Sequence, residues 1–320
     1  MSTTYIAGHT GLVGSALLRR IPDAGTRSQE QLDLTDQGSV NGFFFDNKIE
    51  YVYLAAAKVG GIHANSTYPA DFIRDNLLIQ ANVIDAAWTC GARKLLFLGS
   101  SCIYPRDAQQ PMREDALLTG PLEPTNEYYA IAKIAGLKLC QAYRKQYGFN
   151  AISAMPTNLY GPNDHFDSVD AHVIPSLISK FYRAVLDDVS QVSIWGGGTA
   201  RREFLHVDDL AEALIMLMAD YNDSRPINVG SGHEVRIGEL AHMIAEIVGY
   251  NGSIRFDSSY PDGPPRKLVD SSHINSLGWH AKISLYDGLR STFDWYRARV
   301  GESGSRPSEL PAMRNKQREL

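Results

Sequence analysis

Tyr129 and Lys133 stand four residues apart in a stretch, 127–147, whose spacing predicts a helix. Phenol and ammonium then share one face. A neighbouring cation favours tyrosinate, and a phenol drawn down from its ordinary pKa of about 10 gives or takes a proton at neutral pH. A second group precedes it in "GSSCIYP", residues 99–105, where Ser100 and Cys102 follow the apolar run Leu95-Leu96-Phe97-Leu98. Ligands of α/β sheets bind at the carboxyl ends of strands, so Ser100 falls where chemistry is done. Packing alone accounts for a free cysteine there, because the thiol behaves as a small hydrophobe. A third group opens the chain: Gly8-His9-Thr10-Gly11-Leu12-Val13-Gly14 follows one short strand and starts a helix. Glycines so placed allow a tight turn, with a pyrophosphate seated on the helix N-terminus.

These groups need a scaffold that brings them to one edge. Short apolar runs at Tyr5-Ile6-Ala7, Val52 to Ala56, Lys94 to Leu98 and Ala151 to Met155 alternate with helical stretches, clearest at 69–90 and 127–147. That alternation predicts parallel βαβ units, an α/β chain with helices on both faces of the sheet. The second strand is sought in "IPDAGTRS", although Pro22 and Gly25 interrupt it. Further helices are expected at 171–187, from about Val207 with Asp208 or Asp209 as cap, at 237–249 and at 286–298, with strands at 192–195 and 227–230. Near the end of the second strand no acid awaits a ribose 2′-hydroxyl. Arg27 lies there instead, which suits a 2′-phosphate and suggests NADP, and Asp33-Leu34 can reach the adenine edge.

Composition narrows the class. At 320 residues, with 44% hydrophobic and 21% charged residues, the chain is an ordinary globular protein with material for a large core. A net charge of −5 supplies no field for nucleic acid or an anionic membrane, so an anionic ligand must be held by local basic groups. Cys90, Cys102 and Cys140 lack metal-ligand spacing and form no disulfide framework. No leader pattern and no long apolar span are expected, which reads as a reduced, cytoplasmic protein.

The glycine turn with Ser100, Tyr129 and Lys133 resembles the extended short-chain dehydrogenase/reductase family acting on nucleotide sugars. "LAAAKVGGI" (54–62), "GSSCIYP" (99–105), "EPTNEYYAIAK" (123–133), "PTNLYGPND" (156–164), "HVIPSL" (172–177) and "REFLHVDD" (202–209) resemble one branch of it. That branch epimerises GDP-4-keto-6-deoxy-D-mannose at C3 and C5 and reduces C4, giving GDP-L-fucose with NADPH. The similarity runs over about residues 3–298.

The resemblance implies a Rossmann-like doubly wound parallel sheet with a smaller α/β substrate domain. The expected division is 1–165 with about 205–235 for NADP, about 166–204 with 236–300 for the nucleotide sugar, and 301–320 as a mobile tail. It implies Cys102 as the base and His172 as the acid that invert C3 and C5, the thiol's pKa being lowered from about 8.5 by local cations. Ser100 and Tyr129 would hold the C4 oxygen, and Lys133 the nicotinamide ribose. Besides the turn at 8–14 with Arg27, Asp33 and Leu34, the cofactor would meet Leu98, Gly99, Ser100, Pro156, Thr157, Asn158, Leu159 and His172. Lys180, Arg202, Trp195 and Asp262 would hold the nucleotide diphosphate or sugar. The same likeness, with the apolar character of 69–90 and 127–147, implies a homodimer. A 4,6-dehydratase is disfavoured because Ser101-Cys102 stands where an Asp-Glu pair would eliminate water; a 4-epimerase and a non-catalytic NADP-binding regulator are the remaining alternatives.

Overall fold

The computed structural model describes residues 3–166, 171–260 and 263–303. In chain order the elements are β1 (Thr4–Ala7), α1 (Leu12–Arg20), α2 (Gln37–Asn47), β2 (Tyr51–Leu54), α3 (Ile62–Thr67), α4 (Pro69–Thr89), β3 (Lys94–Leu98), α5 (Glu127–Tyr147) and β4 (Ala151–Pro156). There follow β5 (Asn158–Tyr160), α6 (Val173–Leu186), β6 (Gln191–Trp195), β7 (Arg201–His206), α7 (Val207–Asp220), β8 (Ile227–Val229) and β9 (Glu234–Arg236). The last are α8 (Ile237–Val248), β10 (Ser253–Asp257), β11 (Arg266–Lys267), α9 (Ser272–Ser276) and α10 (Leu285–Ser303).

A parallel sheet in the order β1-β2-β3-β4-β8 carries the first half. Its centre, β3, is buried at every residue, which explains its unbroken apolar run. One face is covered by Val13, Ala16 and Leu17 of α1 and Leu210, Leu214 and Leu217 of α7. The other is covered by Val40 and Phe44 of α2, Val83 and Ile84 of α4, and Ala130, Ile134 and Leu137 of α5. Helices α4 and α5 approach closely because Gly136 leaves room for the Gln80 side chain, whose amide donates to the Ala132 carbonyl at 2.6 Å.

A second group of elements follows the sheet. Strands β11, β7 and β5 run side by side, with β9 antiparallel to β7, and β10 pairs with β6. Phe181, Leu240, Ile244, Phe293 and Tyr296 make a separate core here. Val269, Ile274 and Trp279, late in the chain, pack with the first half.

Three local expectations change. The stretch 21–28 forms no regular strand: Gly25 alone bridges to β1, exchanging bonds with Thr4 and Ile6 at 2.8 and 3.0 Å. His206, not an aspartate, caps α7, its Nδ1 accepting from the Asp208 amide at 3.2 Å. Asp208 instead pairs with Arg19 at 2.5 Å, and Asp209 accepts the amides of Lys282 and Ile283. The last helix runs to Ser303, so the first three residues of the expected tail are helical, while 304–320 lies outside the described residues.

One buried carboxylate ties the two groups of elements together. Glu203 on β7 is wholly buried and accepts the amides of Gly232 at 2.8 Å and Val269 at 3.0 Å. Burial pushes its pKa up and those bonds pull it back. Replacing it with Leu strands two amides at about 1–3 kcal/mol each. Urea unfolding of Glu203→Leu should give a clearly lower midpoint, with Glu203→Gln, which keeps one acceptor oxygen, falling between it and the parent.

Candidate active site

The main chain leaves the carboxyl edge of β3 through Gly99, where Met155 fills the space a side chain would need. Ser100 then turns it into one tight helical turn, Ser101–Ile103, by accepting the Cys102 amide on its Oγ at 3.3 Å. Cys102 is thereby held at the strand's mouth, 7% exposed. From the neighbouring helix α5, the Lys133 ammonium reaches back and donates to the Leu98 carbonyl at 2.8 Å. The same Nζ lies 5.0 Å from the centre of the Phe97 ring and 5.8 Å from that of Tyr129. The Phe72 ring meets Tyr129 edge-on at 6.5 Å.

Ser100, Cys102, Tyr129 and Lys133 line one cleft of about 2520 Å³, and His172, at the start of α6, lines it too. The glycine turn, Arg27, Asp33, Leu34 and Pro156 to Leu159 line its other end. His9 is not among the lining residues; its Nδ1 is buried without a hydrogen-bond partner. The Asp33 carboxylate accepts both the amide and the hydroxyl of Thr35 at 2.9 and 2.7 Å. Arg27 bonds the Thr26 carbonyl and lies 5.1 Å above the Phe43 ring, with its guanidinium at the cleft wall. Thr157 and Asn158 are fixed by the Glu203 carbonyl, at 3.4 and 2.7 Å.

Lys180, Arg202 and Trp195 line the same cleft. Lys180 donates to the Ser193 carbonyl at 3.0 Å. Trp195 stacks on Tyr260 with ring centres 4.4 Å apart and planes within 8°. Asp262 lies outside the described residues.

Burial sets the charges here, against two expectations. The Cys102 thiol is pushed up, not down: loss of water outweighs the pull of Lys267, the Ser100 hydrogen bond and Lys133. Tyr129 is likewise raised, first by burial and then by Cys102, and Lys133 does not offset this. Burial brings Lys133 down to about 8. His172 is lowered by burial, then by His165 and Lys267. Burial thus displaces each of these groups toward its neutral form, and Lys133 at about 8 still carries its charge at neutral pH.

Among the lining residues that sequence reasoning missed are Lys267 and Asn126. Lys267 sits on a two-residue strand that shows no periodicity, and only the fold brings it near Cys102. Asn126 precedes α5 with its Oδ1 buried and without a partner.

The turn at 8–14 fits a dinucleotide. Gly8 has φ +87° and its missing side chain would lie 2.7 Å from Ala56; a side chain on Gly14 would overlap the Gly8 carbonyl oxygen. Both glycines are therefore required by packing. Gly11 is different: a methyl there meets nothing nearer than 3.6 Å, and as N-cap it leaves the first turn of α1 without a side-chain cap or an acid. The open amides face the cleft, as an anion requires. Gly11→Ala should accordingly unfold at the parent temperature yet bind the dinucleotide about tenfold more weakly, a loss of about 1.4 kcal/mol by titration. Gly14→Ala should lose both.

Residues 4–230 match the model of the NAD dependent epimerase/dehydratase family. A putative GDP-L-fucose synthase 2 of Arabidopsis thaliana is 58% identical over 301 residues, 92% of each chain. The GDP-L-fucose synthase of Escherichia coli is 52% identical over 306 residues, 91% of this chain and 95% of that one. The crystal structure of a GDP-L-fucose synthetase from Naegleria fowleri bound to NADP superimposes with a TM-score of 0.85 at 25% identity, covering 94% and 95% of the two chains. With a parallel sheet whose carboxyl edge gathers serine, tyrosine and lysine beside a glycine turn, this chain belongs to the NAD dependent epimerase/dehydratase family.

Proposed function

We infer that this protein is an NADP-dependent epimerase and reductase that converts GDP-4-keto-6-deoxy-D-mannose to GDP-L-fucose. The observation that carries the reading is the convergence of Ser100, Cys102, Tyr129, Lys133 and His172 on one cleft with the glycine turn. The names of its relatives agree with it. Arg27 at the cleft wall, with no acid paired to it among the described residues, supports a 2′-phosphate and hence NADP.

The C4 ketone acidifies the protons at C3 and C5. Cys102 takes a proton from one face, the electron pair moves onto the C4 oxygen, and His172 returns a proton to the opposite face. Ser100 and Tyr129 donate hydrogen bonds to the charged C4 oxygen. The working pair is thiolate and imidazolium. It holds as many protons as the neutral pair favoured without ligand, one having moved from sulfur to imidazole. When bound, NADPH supplies the hydride to C4. Tyr129 gives the C4 oxygen its proton, and Lys133, anchored to the Leu98 carbonyl, stabilises the phenolate left behind. Lys180 and Arg202 are the basic groups for the diphosphate, and the Trp195 ring is the platform for the base.

The division into a dinucleotide unit (1–165 and about 205–235) and a sugar unit (about 166–204 and 236–300) is supported by their separate cores, with Val269 to Trp279 packed on the first. A homodimer through α4 and α5 is supported by Leu77, Leu78, Tyr128 and Ile131, which those helices leave exposed. Light scattering at micromolar concentration should return twice 35.4 kDa. No helix among the described residues is long and apolar enough to cross a membrane, and Cys90, Cys102 and Cys140 are free thiols, which supports a reducing cytoplasmic setting.

In deuterium oxide without NADPH, the enzyme should exchange the substrate's C3 and C5 hydrogens, read by NMR. Cys102→Ser should lose most of that exchange while keeping its fold and dinucleotide affinity. His172→Asn should remove protons but return them to the wrong face. Exchange at the parent rate in Cys102→Ser would remove the thiol from the mechanism.

A further inference from the structure

One cation in the cleft has no task in the chemistry above. Lys267 belongs to a strand too short to fix itself, yet bonds from several elements hold it. Arg201 donates its amide to the Pro265 carbonyl at 2.9 Å, Leu268 donates to Oε1 of Gln110 at 2.8 Å, and Met112 donates to the Leu268 carbonyl at 2.8 Å. Glu203 takes the Val269 amide. Adjacent side chains on a strand point to opposite faces. Both residues reach the cleft wall, but Arg266 pairs with Glu234 at 2.6 Å, while Lys267 lines the cleft with Cys102 and His172. Among the described residues its ammonium has no hydrogen-bond or ion-pair partner.

A lysine held in a cleft wall loses hydration and needs an anion nearby. The other ammonium beside Cys102, that of Lys133, is committed to the Leu98 carbonyl. Met112 and Val269, on the segments that clamp Lys267, belong to the same core as Cys102. The charged or titratable groups that line this space include Cys102 from the turn after β3, Glu123 from the loop before α5, Tyr129 and Lys133 from α5, His165 and His172 before α6, and Arg202 from β7. Cys102 and Glu123 favour the charged ammonium, while burial and Arg202 oppose it.

We propose that Lys267 is a positioning residue for epimerisation, its ammonium serving as the counter-ion against which the Cys102 thiolate forms. Of the groups opposing burial of that thiolate it is the strongest. The same charge makes His172 a stronger acid, so one cation favours both halves of the inversion. This inference rests on Cys102 being the base.

The test compares Lys267→Met and Lys267→Arg with the parent in the full-length enzyme. Two pH profiles are needed: iodoacetamide alkylation of Cys102, followed by mass spectrometry, and C3/C5 deuterium exchange without NADPH. In Lys267→Met the alkaline limb of both should move up by about one unit, so that each rate falls about tenfold at neutral pH and recovers in alkali. Lys267→Arg, which keeps the charge, should stay near the parent, and dinucleotide affinity should be unchanged in both. An unmoved alkylation profile in Lys267→Met, with only a raised substrate KM, would assign Lys267 to the diphosphate and overturn the proposal. Should the Met variant not fold, a limb shifted by about one unit in Lys267→Arg overturns it equally. Alkylation needs no turnover, so it reports the Lys267–Cys102 coupling even where Cys102→Ser exchanges normally and the base is another group.

Discussion

The bond from Lys133 to the Leu98 carbonyl joins the last residue of the central strand to the middle of α5, and the rest of the site hangs from it. One turn up the helix it sets Tyr129; one residue past the carbonyl it sets Gly99, Ser100 and the turn that holds Cys102. An ammonium in such a place costs solvation, and it is tolerated because a carbonyl and two aromatic faces receive it. A neutral side chain would span the same distance without drawing helix and strand edge together. The geometry of proton transfer is therefore set by a polar bond inside an apolar wall.

That wall has a second effect. The Cys102 thiol, the Tyr129 phenol, the His172 imidazole and the ammoniums of Lys133 and Lys267 are displaced toward their neutral forms by one leading cause, the removal of water. A dianionic diphosphate favours the cationic forms of lysine and imidazole, while the thiolate needs a cation of its own. Selectivity follows from the same physics, since a sugar without the ketone offers no place for the displaced electron pair.

Much of this was readable in the chain because local pattern and tertiary role coincide at the sheet. The limits of β3 and α5 are those the apolar run and the helical spacing imply, and the glycine turn stands where its strand and helix require. The fold departs from local pattern where contacts are made at long range. Gly25 keeps one bridge of a strand that Pro22 and its neighbours cannot sustain. Asp208 and Asp209 look like caps, but Arg19 and the amides of 282 and 283 claim them, and His206 takes the cap. Strands β5, β7, β9 and β11 are short, mixed in polarity and made by partners far along the chain. Lys267 is invisible for that reason: nothing near it in sequence distinguishes it from a surface lysine. The family likeness pointed to Cys102 and His172, while their displacement toward neutral forms follows from burial, which only the fold supplies.

The clamp on 265–269 also bears on how the molecule is made. Gln110, Glu203 and the segment after Pro265 meet in one knot, so a ribosome must release all three before that knot can close. The parallel sheet has all five strands once Val229 has emerged, but Val269, Ile274 and Trp279 have still to pack on it. Any folding during synthesis therefore leaves this knot, and with it the placement of Lys267, until residue 269 has emerged.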